Sequence, residues 1–283
     1  MCLVAVPFVF ASTAAASELI ARKATNVKLE VSANGGQALL SYRANGRTWY
    51  VLAKGAINAR PPKPGGKQAA FTLRRSTTRP PFKGRCTRLQ PALPVVVAAC
   101  AAGASNWAAQ EWQRSLPNFG VPPSGIRAHP ELHLSHWSGA VAELTLKADW
   151  SSRVKWRHVY GKLTYRGKPV YGFGASRFGV PTDPFGRNVY IDTLDSAYGP
   201  GWRRENSFLT RKPTGFFCYD FTPHRGGLTG QGREYRGTVI GPGVTPDVRA
   251  VVPDPGSYDP ALDAASNEEQ VRLGAGAGVC RPS

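Results

Sequence analysis

The chain has 283 residues and a formal charge of +18, which comes from 36 Lys and Arg against 18 Asp and Glu. Hydrophobic residues make up 42% of the sequence, which is enough for a packed core and excludes a disordered chain. No apolar segment is long enough for a transmembrane helix, so no anchor of that kind is expected.

The N-terminus has the pattern of an export signal. Residues 2–16 carry no charged side chain, and Ala14-Ala15-Ala16 supply the small residues that signal peptidase accepts just before Ser17. We therefore predict a signal peptide over residues 1–16 and a secreted protein, extracellular or associated with the cell wall. The basic stretch that usually opens such a signal is missing, and a buried N-terminal strand is the alternative interpretation.

The rest of the chain has the pattern of short strands separated by turns. Asn45-Gly46 is a strong hairpin signal, and the 31 Gly and 24 Pro imply many turns and long loops. A short helix is predicted around Asp263–Leu273, in a C-terminal tail that is otherwise loop. The expected fold class is mainly β, an antiparallel sandwich or barrel-like sheets with long Pro- and Gly-rich loops and a short C-terminal helix. The strands are predicted at Val27–Ser32, Ala38–Tyr42, Thr48–Leu52, Phe71–Leu73, Val95–Cys100, Trp107–Leu116, Glu131–Trp137, Ala140–Trp150, Val159–Tyr165, Val170–Phe173, Val189–Thr193, Ser207–Thr210, Gly215–Phe221 and Arg233–Ile240.

Charge divides the chain after the signal into three regions. Residues 17–90 hold 15 Lys and Arg against two acids and are predicted as a basic region of β-hairpins and loops. Residues 91–246 are predicted as the main β domain, and residues 247–283 as an acidic tail tethered by a disulfide. A basic field of this kind attracts anionic polymers, although it also serves solubility alone.

Four cysteines remain once the predicted signal is removed, namely Cys86, Cys100, Cys218 and Cys280. An even number in a secreted chain predicts two disulfides, for which three pairings are possible. We favour Cys86–Cys100 and Cys218–Cys280, because each pair closes a loop within its own region. A zinc site is less expected, because no two cysteines have Cys-x-x-Cys spacing.

The densest group of histidines lies in the predicted strand Glu131–Trp137. On a strand, Glu131 and His133 face one side and His136 the other. Glu131 and His133 could ligate a metal or form an acid–base pair, and His136 could join them only if the strand bends. The alternative is a solvated face with one internal hydrogen bond. No metal-binding signature is present, so no metal or other cofactor is predicted.

The segment Asp183–Glu205 mixes carboxylates, Arg, Tyr and Trp between glycines, a composition typical of a carbohydrate-handling surface. Asp192 and Glu205 are candidates for the acid and base of glycoside cleavage, provided that their carboxyl groups lie about 5–10 Å apart. The alternative is structural, with Asp192 capping a turn and Arg203 or Arg204 paired with Glu205.

Binding residues are expected in the same segment. Aromatic rings stack on sugar faces, while Arg and Asn bind hydroxyl groups. The candidates are Trp202, Tyr190, Arg187 and Asn188. Two stretches, Gly186–Thr193 and Trp202–Thr210, resemble segments of uncharacterised secreted proteins of high-G+C bacteria, and the resemblance implies no activity, cofactor or catalytic residue.

No nucleophile elbow, Ser-x-x-Lys motif, P-loop or dinucleotide fingerprint occurs in the sequence. The leading hypothesis is therefore non-enzymatic binding of an anionic cell-wall polymer or polysaccharide, with nucleic acid a less expected partner. The alternative is an extracellular glycan hydrolase that uses acids from residues 183–205.

Overall fold

The structure is a computed structural model that describes residues 17–58, 69–89, 93–113, 130–151, 156–170, 188–196, 199–205, 208–211, 214–221 and 231–274. These residues form antiparallel strands and a C-terminal helix, so the predicted mainly β class is confirmed. None of the helical structure in these ranges is long and apolar enough to cross a bilayer. The predicted signal, residues 1–16, lies outside the described residues.

The strands form four sheets. Their orders are β1-β9-β8-β7-β6 in the first, β2-β3-β4-β5 in the second, β10-β11-β16-β15 with β12 beside β11 in the third, and β14-β13-β17-β18 in the fourth. In chain order the elements are β1 (Glu18–Arg22), β2 (Thr25–Val31), β3 (Gln37–Ala44), β4 (Arg47–Lys54), β5 (Thr72–Ser76), β6 (Thr87–Arg88), β7 (Val96–Ala102), β8 (Ser105–Trp112), β9 (Glu131–Trp137), β10 (Ala142–Ser151), β11 (Trp156–Tyr165), β12 (Lys168–Pro169), β13 (Val189–Ser196), β14 (Gly199–Arg204), β15 (Phe208–Arg211), β16 (Phe216–Phe221), β17 (Gln231–Val239), β18 (Val248–Pro253) and α1 (Pro260–Leu273).

The first and second sheets enclose one hydrophobic core. Strand β2 packs against β7 and β8, and buried side chains come from both sheets, among them Leu40, Val51, Trp107 and Leu134. Leu40 and Val51 are cross-strand partners, so the apolar positions of the second sheet face inward together. Because β1 pairs with β9, this core draws on residues from both sides of the division predicted at residue 90.

The third and fourth sheets enclose a second core. Strand β10 packs against β17 and β18, and Ile191, Tyr235 and Val239 of the fourth sheet are buried in this core. Successive residues of a strand face opposite sides. The other face of the fourth sheet therefore carries Asp192 and Arg236, which are cross-strand partners. That polar face positions one of the two sites described below.

Several local predictions are confirmed. Asn45 and Gly46 have φ values of 51° and 73° between β3 and β4, the left-handed pair that a tight hairpin turn requires. The C-terminal helix begins at Pro260 with Asp259 as its N-cap, whose side chain accepts hydrogen bonds from the next turn. The tail is not otherwise loop, because β18 pairs along β17 from Val248 to Pro253.

One predicted disulfide is directly observed. Cys86 and Cys100 are bonded, with their Cα atoms 4.9 Å apart. Cys218 is also disulfide-bonded, and its predicted partner Cys280 lies outside the described residues.

Candidate functional site

One cavity is an open groove of about 760 Å³ at one end of the first core. We call it the basic groove. It lies between the edge strand β1 and the ends of β3, β4 and β5. Its lining residues are Leu19, Ile20, Ala21, Arg22, Lys23, Tyr42, Ala44, Asn45, Trp49 and Arg75.

The hairpin between β3 and β4 builds the aromatic wall of the basic groove. Tyr42 and Trp49 are cross-strand partners that flank the Asn45-Gly46 turn. Val51 pairs with Arg75, and Val51 lies two residues from Trp49, so the Arg75 side chain shares their face. The result is an aromatic pair next to a guanidinium group.

The described residues that line the basic groove include three cations and no carboxylate. Arg22 donates two hydrogen bonds to Glu131 Oε1, from Nε at 3.0 Å and Nη2 at 2.7 Å. Arg75 Nη2 lies 3.5 Å from the carbonyl of Leu19, and Lys23 makes no ion pair within the described residues. Lys23 and Arg75 therefore have no carboxylate partner among the described residues, and both line the open groove.

Glu18 lies close to the basic groove. Burial raises the pKa of its carboxyl group, and the positive charge of Arg75 opposes that shift. The charge of Arg75 is therefore felt by a side chain of β1. No ion pair between Glu18 and Arg75 forms among the described residues.

A second, smaller cavity of about 90 Å³ lies on the polar face of the fourth sheet. We call it the arginine pocket. Three arginines from three different strands reach it, together with one carboxylate and two tryptophans. Its lining residues are Val95, Trp112, Gln113, Asp192, Trp202, Arg204, Arg236, Thr238 and Arg249.

Asp192 organises the arginine pocket. Its Oδ1 accepts from Arg204 Nε at 2.5 Å, and its Oδ2 accepts from Arg236 Nη2 at 2.8 Å. Burial alone would raise the pKa of Asp192, but the guanidinium groups of Arg204 and Arg236 outweigh it and hold the pKa below its ordinary value. Asp192 is thus an ionised carboxylate with both oxygens engaged.

Glu205 lies on the other face of the same sheet. Its Oε1 accepts a hydrogen bond from the Thr193 hydroxyl, and its Oε2 is buried with no hydrogen-bond partner among the described residues. Burial raises the pKa of Glu205 to about 8, and the charge of Asp192 adds to that shift. The structure does not bring the two candidate acids into one cavity, because Asp192 lines the arginine pocket and Glu205 does not.

Comparison with known proteins adds no family to this geometry. No family model, curated protein or solved structure matches the chain. The chemistry of both cavities therefore has to follow from their own residues.

The predicted binding residues take different positions around the arginine pocket. Trp202 lines it, half-buried, with the Arg236 guanidinium 4.3 Å from its ring centroid. Tyr190 is buried beneath Arg204, whose guanidinium lies 4.7 Å from the ring, and it packs on Trp112. Asn188 is buried in the sheet and accepts from the Val189 amide, and Arg187 lies outside the described residues.

The structure brings Glu131 and His133 together in a buried polar network. His133 Nε2 lies 3.2 Å from Glu131 Oε2, and its Nδ1 lies 3.0 Å from Ser17 Oγ and 3.4 Å from Asp247 Oδ2. Ser17 donates to Asp247 Oδ1 at 2.5 Å, and Trp112 Nε1 donates to Asp247 Oδ2 at 2.8 Å. Ser17, His133 and Asp247 are all at most 1% exposed, so the network ties β1, β9 and residue 247 together away from solvent.

His136 points to the other face of β9. Its Nδ1 lies 2.9 Å from the carbonyl oxygen of Gly55, and its ring stacks on Trp107 with centroids 3.7 Å apart. It does not join His133. Across the described ranges, no three side chains of metal-ligating type are grouped closely enough to hold an ion.

Most residues of the arginine pocket could not be identified from local sequence patterns. Arg204 stood beside a predicted candidate, but Arg236 and Arg249 were not singled out. They meet Asp192 only through the pairing of β13 with β17 and of β17 with β18. Arg236 is next to the buried Tyr235, a pattern typical of a strand with one apolar and one polar face. This pattern could have identified Arg236 as a residue of the polar face.

Proposed function

We propose that this protein is exported and binds an anionic or glycan polymer without catalysing its cleavage, and that the basic groove is the binding surface. The observation that carries the proposal is the lining of the groove, where cations and an aromatic pair meet and no carboxylate lies among the described lining residues. An open groove accepts a length of chain. Guanidinium and ammonium groups attract its acidic groups, and Trp49 offers a face for a sugar ring.

The charge of the whole chain supports the proposal. A net charge of +18 raises the local concentration of an anionic polymer and speeds its encounter with the surface. The Cys86–Cys100 disulfide supports export, because such bonds persist mainly in oxidising compartments.

Glycan hydrolysis is not part of the proposal. Inverting and retaining glycosidases both need two carboxyl groups that flank one bond of the substrate. Asp192 and Glu205 project from opposite faces of the fourth sheet, and no observation on either cavity favours cleavage.

The test is retention of the purified protein on immobilised acidic polysaccharide, cell wall or DNA at low salt. We expect elution by added salt, because exposed charges are screened. A double variant, Lys23→Gln with Arg75→Gln, should elute at lower salt than the unmodified protein. The matched control, Lys168→Gln with Arg272→Gln, removes the same charge from exposed positions that do not line the groove.

Two results would contradict the proposal. The first is failure of all three matrices to retain the protein at low salt. The second is an equal shift in elution for the groove variant and its control, which would assign retention to net charge alone.

A further inference from the structure

The arginine pocket has an unusual balance of charge. Three guanidinium groups, those of Arg204, Arg236 and Arg249, line a cavity of about 90 Å³ with the single carboxylate of Asp192. Among the described lining residues, the positive charges exceed the negative charge by two. Like charges held close together in a partly buried site destabilise the fold unless something compensates for them.

Within the part of the chain that the structure describes, Arg249 is the arginine of this pocket that has no carboxylate partner. Both oxygens of Asp192 are engaged by Arg204 and Arg236, and Arg249 makes no ion pair within the described residues. Its side chain is exposed on β18 and lines the cavity. Burial, followed by repulsion from Arg236, lowers the pKa of Arg249. An anion in the pocket would relieve that repulsion.

Two of the three arginines, Arg204 and Arg236, are held in place before any ligand arrives. Asp192 holds Arg204 and Arg236 from opposite sides, because it pairs across the sheet with both residues. Arg204 Nη2 also donates to the carbonyl of Gln113 at 2.9 Å, and the Arg236 guanidinium lies over Trp202. A prearranged set of donors loses little entropy on binding, which favours affinity for a small ligand.

We propose that the arginine pocket binds a tetrahedral oxyanion, phosphate or sulfate, either free or as a group on a larger molecule. The cavity volume of about 90 Å³ suits one such group. A single water needs a cavity of about 10–15 Å³, so the pocket has room for an oxyanion several times larger. A tetrahedral oxyanion presents oxygens in several directions and can accept from guanidinium groups on three strands. A planar carboxylate presents two oxygens and suits one bidentate arginine.

This site is separate from the basic groove and does not depend on the function proposed for it. The two cavities share no lining residue. Loss of polymer retention in groove variants would leave oxyanion binding intact, and the reverse also holds.

The test is titration of the protein with inorganic phosphate or sulfate at constant ionic strength, with sodium chloride as the balancing salt. Trp202 and Trp112 line the pocket, so tryptophan fluorescence and the melting temperature should both respond. We expect saturable stabilisation by phosphate and sulfate beyond that of chloride. Methyl phosphate and dimethyl phosphate identify the source, because binding of the diester indicates a phosphate within a polymer, whereas binding of the dianions alone indicates a free or terminal group.

Arg249→Gln is the decisive variant, because the side chain is exposed and its loss leaves the Asp192 ion pairs in place. We expect phosphate affinity to fall by about tenfold or more, as for loss of a charge-assisted hydrogen bond. Arg203→Gln is the matched control, since Arg203 lies on β14 beside Arg204 and projects from the other face. The proposal is overturned if no oxyanion acts differently from chloride, or if Arg249→Gln binds phosphate as tightly as the unmodified protein.

Discussion

The carboxyl groups of Asp192 and Glu205 project from opposite faces of one sheet, although Asp192 pairs directly with Arg204, the neighbour of Glu205. Their surroundings differ as sharply as their directions. Two guanidinium groups hold Asp192 ionised by lowering its pKa. Burial raises the pKa of Glu205 to about 8, so Glu205 keeps its proton near neutral pH. The two acids therefore have separate roles, one in arranging arginines and the other in the interior.

The raised pKa of Glu205 predicts a pH-dependent stability. Between the ordinary pKa of 4.5 and about 8, the folded protein holds a proton that the unfolded chain has lost. The free energy of unfolding should therefore fall as pH rises through this range, by about 1.4 kcal/mol per pH unit from this group, and level off above it. Urea unfolding at a series of pH values measures the effect.

Glu205→Gln removes the titrating proton and keeps the shape of the neutral acid. We expect the variant to lose this fall and to be more stable than the unmodified protein near pH 8. Glu143→Gln, at an exposed position of β10, is the control and should keep the fall. An unchanged pH profile in Glu205→Gln would contradict the assignment.

The buried network around His133 predicts a large loss of stability on truncation. His133→Ala removes the ring that lies within hydrogen-bonding distance of the buried Glu131 and Ser17 side chains, and each buried polar group left unsatisfied costs about 1–3 kcal/mol. Lys147→Gln breaks an ion pair with Glu269 in which the lysine side chain is 56% exposed, and should cost about 1 kcal/mol or less. Denaturant unfolding of both variants gives the comparison, and equal losses would argue against a structural role for His133.

The hairpin at the rim of the basic groove supplies a backbone prediction. Gly46 has φ of +73° with open space around a Cβ, so Gly46→Ala should destabilise through backbone conformation alone, by about 1 kcal/mol. Gly36→Ala is the control, because Gly36 has no positive φ and a Cβ there meets only ordinary contacts. A melting temperature unchanged in Gly46→Ala but lowered in Gly36→Ala would reverse the expectation.

Local chemistry explains which parts of the fold were predictable. The Asn45-Gly46 turn, the alternation in β3 and β4 and the spacing of Cys86 and Cys100 are properties of neighbouring residues. Strand β18 was missed because prolines flank it and only one of its side chains, that of Val248, is buried. Strand β1 was missed because it directly follows the predicted signal.

The two cavities were less predictable, because they depend on pairing between distant strands. Asp192 and Trp202 were picked out by composition, but nothing near them in the chain indicates Arg236 or Arg249. The basic groove depends on the pairing of β1 with β9, which sets Arg22 opposite Glu131. Local patterns indicate which residues share a face of a strand, and only the register between strands shows which faces meet.

The Cys86–Cys100 bond lies where the chain passes between the first two sheets. We predict that the stability of this pair of sheets depends on the bond. Just before Cys86, Arg85 pairs with Val31 of the second sheet, and just after it β6 pairs with β7 of the first sheet. The disulfide thus fixes the point at which the chain crosses between the two sheets. Its loop spans 14 residues, for which loop-closure entropy predicts a contribution of about 3 kcal/mol.

Cys86→Ser tests this contribution with little damage to the core, since Cys86 is exposed whereas Cys100 is fully buried. We expect the free energy of unfolding in urea to fall by about 3 kcal/mol. Reduction of the unmodified protein is a poorer test, because Cys218 is also disulfide-bonded and both bonds would be lost. Thr72→Ser, at an exposed position on β5, is the control for substitution at the surface of the same pair of sheets. If Cys86→Ser unfolds at the same urea concentration as that control, strand pairing alone holds the crossing together.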